Sequence, residues 1–156
     1  MSKKTLLIAP LALVVLLVTG VAVLRNGVGP VQQESLSQPR IYAYRDWQSV
    51  GVQVHQGDRI YIRAQGTWFY TPGEYHGPQG HAKYRAPNTY PLSGIAGGIL
   101  LGRTGEGGRV FPVGGGGTFY ADSDGMLVLR INDDILSDNK GYVTVEIAVI
   151  PPEDKD

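Results

Sequence analysis

"GYVTVEIAVI", residues 141–150, decides the fold. Val143, Val145, Ile147 and Val149 alternate with Tyr142, Thr144, Glu146 and Ala148. Successive side chains on a strand point to opposite faces, so a period of two predicts a strand with one buried face. The same period runs through "RIYIRAQG" (59–66), where Ile60, Ile62 and Ala64 alternate with Arg59, Tyr61 and Arg63. It returns in "GMLVLRIN" (125–132), where Met126, Val128 and Arg130 alternate with Leu127, Leu129 and Ile131. Further strands are expected at 41–45, 50–54, 67–70, 97–103, 109–113 and 117–121. "HQGD" (55–58) and "DSDG" (122–125) are turn chemistry between them. Strands this short and closely spaced predict an all-β, jelly-roll-like β-sandwich.

The bulk composition agrees. The chain has 156 residues, 22 of them glycine and 10 proline, which suits many tight turns and one domain. Absence of cysteine excludes disulfides, thiolate catalysis, Cys-based zinc sites and a lipid-modified cysteine anchor. Formal net charge is zero. Setting aside Lys3, Lys4 and Arg25 leaves the rest mildly acidic, so nucleic acid is not an expected partner.

Residues 1–25 read as a membrane anchor or a signal peptide. Thr5 to Leu24 carries no charge and would span about 30 Å as a helix, the thickness of a bilayer core. Two lysines precede the run and one arginine follows it, which favours a single-pass transmembrane helix with the C-terminal domain outside the cytoplasm. Cleavage near Gly20 or Ala22 would instead secrete that domain. Residues 26–40, polar and bounded by prolines, read as a flexible linker. The domain is expected over 41–150, with 151–156 as a tail.

Within the domain, 71–96 is too long and too rich in glycine and proline for a plain connector, and ordered loops of this kind tend to carry function. His76 and His81 share it with Glu74, which makes a metal or acid–base role conceivable, but no catalytic constellation accompanies them. The expectation is a protein that is not an enzyme. "DSDG" (122–125) lacks the alternating ligands of a calcium loop, since Met126 and Val128 stand where ligands would be. "GRTGEGGRV" (102–110) and "GGGG" (114–117) lack the Gly-Lys-Ser/Thr of a phosphate loop. Loop tyrosines Tyr75, Tyr84 and Tyr90 could stack on the apolar face of a sugar.

"NDDILSDNKG" (132–141) concentrates three carboxylates and two carboxamides between two strands. Two full charges about 5 Å apart repel by roughly 3 kcal/mol at an effective dielectric near 20. Either the aspartates splay into water or their oxygens converge on a cation, for which calcium, a hard ion taking oxygen ligands, is suited.

Read together, "QGDRIYIRAQGTWFYTPGEYHGPQG" (56–80), "GILLGRTG" (98–105), "FPVGG" (111–115) and "INDDILSDNKGYVTVEI" (131–147) resemble the PA-IL family of bacterial galactose-binding lectins. The resemblance covers most of 50–150 in unbroken order. It implies a jelly-roll-like sandwich and one calcium ion bridging protein and sugar hydroxyls. By position it implies metal ligands at the Tyr70 backbone carbonyl, Asp133, Asp138 and Asn139, with Asp138 replacing an asparagine. A further carbonyl would come from Ile135 or Leu136, in a loop two residues shorter than the family's. The family's sugar-contacting histidine and glutamine have no clear equivalents in "HAKYRAPNTYP" (81–91), where Tyr84, Arg85 and Asn88 lie nearest, so galactose specificity does not carry over. The sugar-binding set expected here is His76, Tyr84, Asn88, Asp133 and Asp138. The partner would be a carbohydrate or glycoconjugate, alongside the membrane. A non-catalytic envelope module, in which calcium merely stiffens the loop or is absent, is the alternative.

Overall fold

The structure, a computed structural model, describes residues 38–70 and 74–153. The expected anchor at 1–25, most of the 26–40 linker and the end of the tail lie outside these residues. Among the described residues no helix is long and apolar enough to cross a membrane.

Nine strands form two antiparallel sheets: β1 (Arg40–Tyr42), β2 (Gln48–Val54), β3 (Arg59–Phe69), β4 (Tyr75–His76), β5 (Leu100–Thr104), β6 (Phe111–Pro112), β7 (Gly116–Tyr120), β8 (Gly125–Ile131) and β9 (Lys140–Ile150). The first sheet has the order β1-β9-β3-β4, with β7 also on β3; the second has the order β2-β8-β5-β6. β3 and β9 pair along their whole length, from Arg59 opposite Ile150 to Phe69 opposite Lys140. One residue of the expected linker, Arg40, is already in β1 and faces Thr144.

The alternation in the sequence becomes the division between core and surface. Ile60, Ile62, Ala64 and Trp68 of β3 and Val143, Val145 and Ile147 of β9 pack with Val54, Leu100, Leu127, Leu129 and Ile131 of the other sheet in one buried cluster. The segments expected as separate strands at 59–66 and 67–70 are one strand. Gly66 keeps the register: it stands midway between Ala64 and Trp68, at φ +107° and exposed, opposite Val143. A side chain is missing there but the pleat continues, so Trp68 and then Tyr70 fall on the core side.

β2 is irregular, with a register shift against β8 between Ser49 and Gln53. Gly51 sits inside that shift at φ +75°, and a Cβ built on it would meet nothing within 4 Å. Gly51→Ala is therefore expected to cost only the left-handed backbone term, about 1 kcal/mol, seen as a fall of roughly 5 °C in melting temperature.

Candidate functional site

Where β8 ends, the chain turns polar while still buried. Asn132 continues the ladder past Ile131: its N–H donates to Ile99 O at 2.8 Å and its carbonyl accepts from Gly98 N at 2.8 Å. Its fully buried side chain then reaches the long loop. Oδ1 accepts from Leu92 N at 3.0 Å, and Nδ2 donates to Leu92 O at 2.8 Å and Ala96 O at 3.2 Å. One carboxamide thus does for 92–96 what a paired strand would do, satisfying backbone groups that burial would otherwise strand. Trp68 adds a bond from Nε1 to Gly98 O at 3.1 Å. Gly97 and Gly98 allow the loop to lie against Tyr70, since a Cβ on either would come within 2.2 Å and 2.5 Å of that ring or its hydroxyl.

Beyond Asn132 the acidic loop folds back on itself. Asp133 and Asn139 are each 4% exposed, and Asn139 Nδ2 donates to Asp133 Oδ2 at 2.7 Å. The other atom of that carboxamide, Oδ1, is buried and accepts no hydrogen bond. Ile135 O faces Asn139 Nδ2 at 3.4 Å, whereas Leu136 O is already engaged by Asn139 N at 3.3 Å. Both carbonyls thus accept from Asn139, Ile135 O from its side chain and Leu136 O from its backbone. Asp138 ends a short 3-10 turn (Leu136–Asp138) with its side chain exposed, and no hydrogen bond or ion pair joins it to Asp133 or Asn139. Arg130 braces the loop from beneath: Nη2 donates to Asp133 O at 2.8 Å, Nε to Ile131 O at 3.1 Å, and Nη1 binds Asp46. Burial lowers the pKa of Arg130, while Asp46 and Asp133 oppose that fall.

A wall of aromatic rings adjoins Asp133. The Tyr70 and Tyr90 hydroxyls lie 3.1 Å apart. Tyr84, 39% exposed, has its ring 6.5 Å from that of Tyr70 and 6.3 Å from that of Tyr90. His76 stands edge-on to Tyr70 at 6.0 Å, and His81 contacts both His76 and Tyr84. Glu74 Oε2 lies 3.1 Å from His76 Nε2 and 3.2 Å from His81 Nε2. Lys83 N–H donates to His81 Nδ1 at 3.1 Å, which leaves Nε2 as the proton-bearing nitrogen of the neutral ring, turned toward Glu74.

Burial pushes the Tyr70 phenol up to about 12, and the Asp133 charge adds to the rise while the Tyr90 hydroxyl opposes it. Burial raises Tyr90 as well. A raised phenol favours folding below the unfolded value near 10 and loses that contribution as pH climbs through the folded value. Wild-type stability is expected to fall between about pH 10 and about 12. Tyr70→Phe should flatten that part of a urea-midpoint profile.

Of the residues expected from the sequence, Asp133 and Asn139 are in contact, and the Tyr70 phenol feels the Asp133 charge. His76 and Tyr84 stand in the aromatic wall. Asn88 is exposed, and its side chain makes no hydrogen bond among the described residues. Sequence reasoning missed Asn132, Arg130 and Trp47. The signal for Asn132 was a carboxamide placed directly after an alternating strand, where a turn residue would normally be exposed.

The donor set fits a hard cation. Asp133 Oδ2 and the Ile135 carbonyl both face Asn139 Nδ2, and turning that carboxamide over would bring its buried, unpartnered Oδ1 to them as an oxygen-only set.

The sandwich is similar to the solved structure of the EclA N-terminal domain, described as a PllA-like lectin, with a TM-score of 0.56 and 24% identity over 74% of this chain and 97% of that one. No protein-family profile matches the chain, and no curated protein matches it. The likeness shows the fold, a β-sandwich with two antiparallel sheets.

Proposed function

We propose that the domain is a non-catalytic, calcium-dependent carbohydrate-binding module, exported and held at a membrane by residues 1–25. The observation that carries the reading is the buried Asn139 Oδ1, which has no hydrogen-bond partner, on a carboxamide whose Nδ2 is held by Asp133 Oδ2. A carboxamide oxygen deprived of both water and a donor is costly unless a ligand supplies the missing charge. Asp133, Asn139, the Ile135 carbonyl and the backbone carbonyl of Tyr70 would hold calcium, with Asp138 closing from the rim. Bound there, the ion supplies open coordination positions for two vicinal sugar hydroxyls. Asp133 and Asp138 accept hydrogen bonds from those hydroxyls, and Tyr84 or His76 packs on the apolar face of the ring. The fold likeness to a lectin domain supports this reading.

Calorimetric titration with calcium and a panel of saccharides tests it. Sugar-dependent heat that vanishes with chelator is the expected result. Calcium binding with no response to any sugar would replace the lectin reading with that of a stiffened envelope module. The anchor is tested separately: the mass of the mature N-terminus distinguishes a retained 1–25 segment from a cleaved one.

A further inference from the structure

Beside Asp133 opens a cleft of about 430 Å³ whose lining includes Trp47, Tyr90, Arg103, Arg130, Asp133 and Asp134. Its volume falls within the roughly 300–1,000 Å³ of small-ligand sites. Two guanidinium groups lie over the Trp47 indole, Arg103 at 4.3 Å and Arg130 at 5.6 Å from the ring centroid. Their situations differ. Arg130 is committed at all three nitrogens, to Ile131 O, Asp46 and Asp133 O. Arg103 forms no ion pair among the described residues, and its Nε is buried with no hydrogen-bond partner. Stacking on an indole fixes a guanidinium while leaving its in-plane donors for a second partner. A half-buried cation with an unanswered donor asks for an acceptor of opposite charge.

We propose that this cleft is a subsite for a carboxylate-bearing saccharide, a uronic acid residue, in which Arg103 binds the carboxylate. The proposal rests on the carbohydrate-binding reading above and names the class of sugar. The other charges in the cleft favour a sugar acid over a simple anion. Asp133 and Asp134 repel an anion set against them but accept hydrogen bonds from hydroxyls. Asp46 pairs with Arg130, whereas Arg103 is the guanidinium of the cleft that makes no ion pair among the described residues. A uronic acid meets both demands, with hydroxyls for the aspartates and one planar carboxylate for the planar guanidinium. Inorganic phosphate would meet only one. Tyr90 lines the same cleft, which makes it continuous with the aromatic wall of the calcium site.

The test uses matched pairs: methyl galactoside against methyl galacturonoside, and methyl glucoside against methyl glucuronoside. Each is titrated into the full chain in calcium-containing buffer. In at least one pair the uronate is expected to bind about tenfold tighter or better, the range of a charge-assisted hydrogen bond. Arg103→Gln should abolish that gap; Arg103→Lys, which keeps the charge but not the fork, should keep part of it. Raising salt from about 50 to about 500 mM should shrink the wild-type gap. If Arg103→Gln does not fold, judged by its melting curve, Arg103→Lys and the salt series decide: a gap that neither one reduces overturns the proposal. Equal affinity for both members of every pair, or a gap that survives in folded Arg103→Gln, also overturns it while leaving the lectin reading intact. Binding of no saccharide at all overturns both.

Discussion

Asp133→Asn is expected to weaken calcium binding on the order of 100-fold, because it removes the one buried carboxylate of the loop and leaves its shape unchanged. The effect is readable without any sugar. At a free calcium concentration 100 times the wild-type dissociation constant, linkage stabilises the wild type by about 2.7 kcal/mol. The variant, at a ratio near one, gains only about 0.4 kcal/mol. The calcium-induced rise in melting temperature should therefore drop from roughly 13 °C to about 2 °C. Asp138→Asn should change far less, since that side chain stands in solvent and makes no bond to Asp133 or Asn139. Equal losses from the two substitutions would place the ion at the rim of the loop and remove Asn139 Oδ1 from its ligand set.

Asn132→Ala should be the most damaging of the substitutions proposed for stability. It strands Leu92 N–H, Leu92 C=O and Ala96 C=O, which the carboxamide now satisfies. With three part-buried backbone groups losing their partner, the loss is about 2 kcal/mol, or a fall of about 10 °C in melting temperature. Asn132→Asp tests the direction of the bonds. An aspartate can still accept from Leu92 N–H but turns a second oxygen toward two carbonyls, so its folded-state pKa should be raised. The variant should be relatively more stable in acid and lose that advantage as pH rises through the folded pKa. Hydrogen exchange at 92–98 should accelerate in both variants before global unfolding does.

The sandwich was legible because its strands alternate cleanly and one face of each is buried. Val143, Val145 and Ile147 stand in the core as their spacing predicted. The break expected after Gly66 was an error of punctuation. Glycine inside a strand need not end it when a partner strand, here β9, continues opposite. The crowding of oxygen-bearing side chains in "NDDILSDNKG", Asp133 and Asn139 among them, was visible in the sequence. Their contact with each other was not, since it depends on the fold of the loop. Arg130 shares a face of β8 with Met126, which is 37% exposed, yet is itself only 9% exposed. Its cover comes from Asp46 and Trp47, more than eighty positions away. Asn132 is bound to residues about forty positions upstream, a separation at which no local pattern could announce the pairing.

The Asn132 staple also has a kinetic consequence. A rim already held in shape requires little reorganisation when a sugar arrives, so association should run close to the encounter rate. Complex lifetimes would then depend on dissociation alone, and a weak ligand should show a single averaged set of NMR signals.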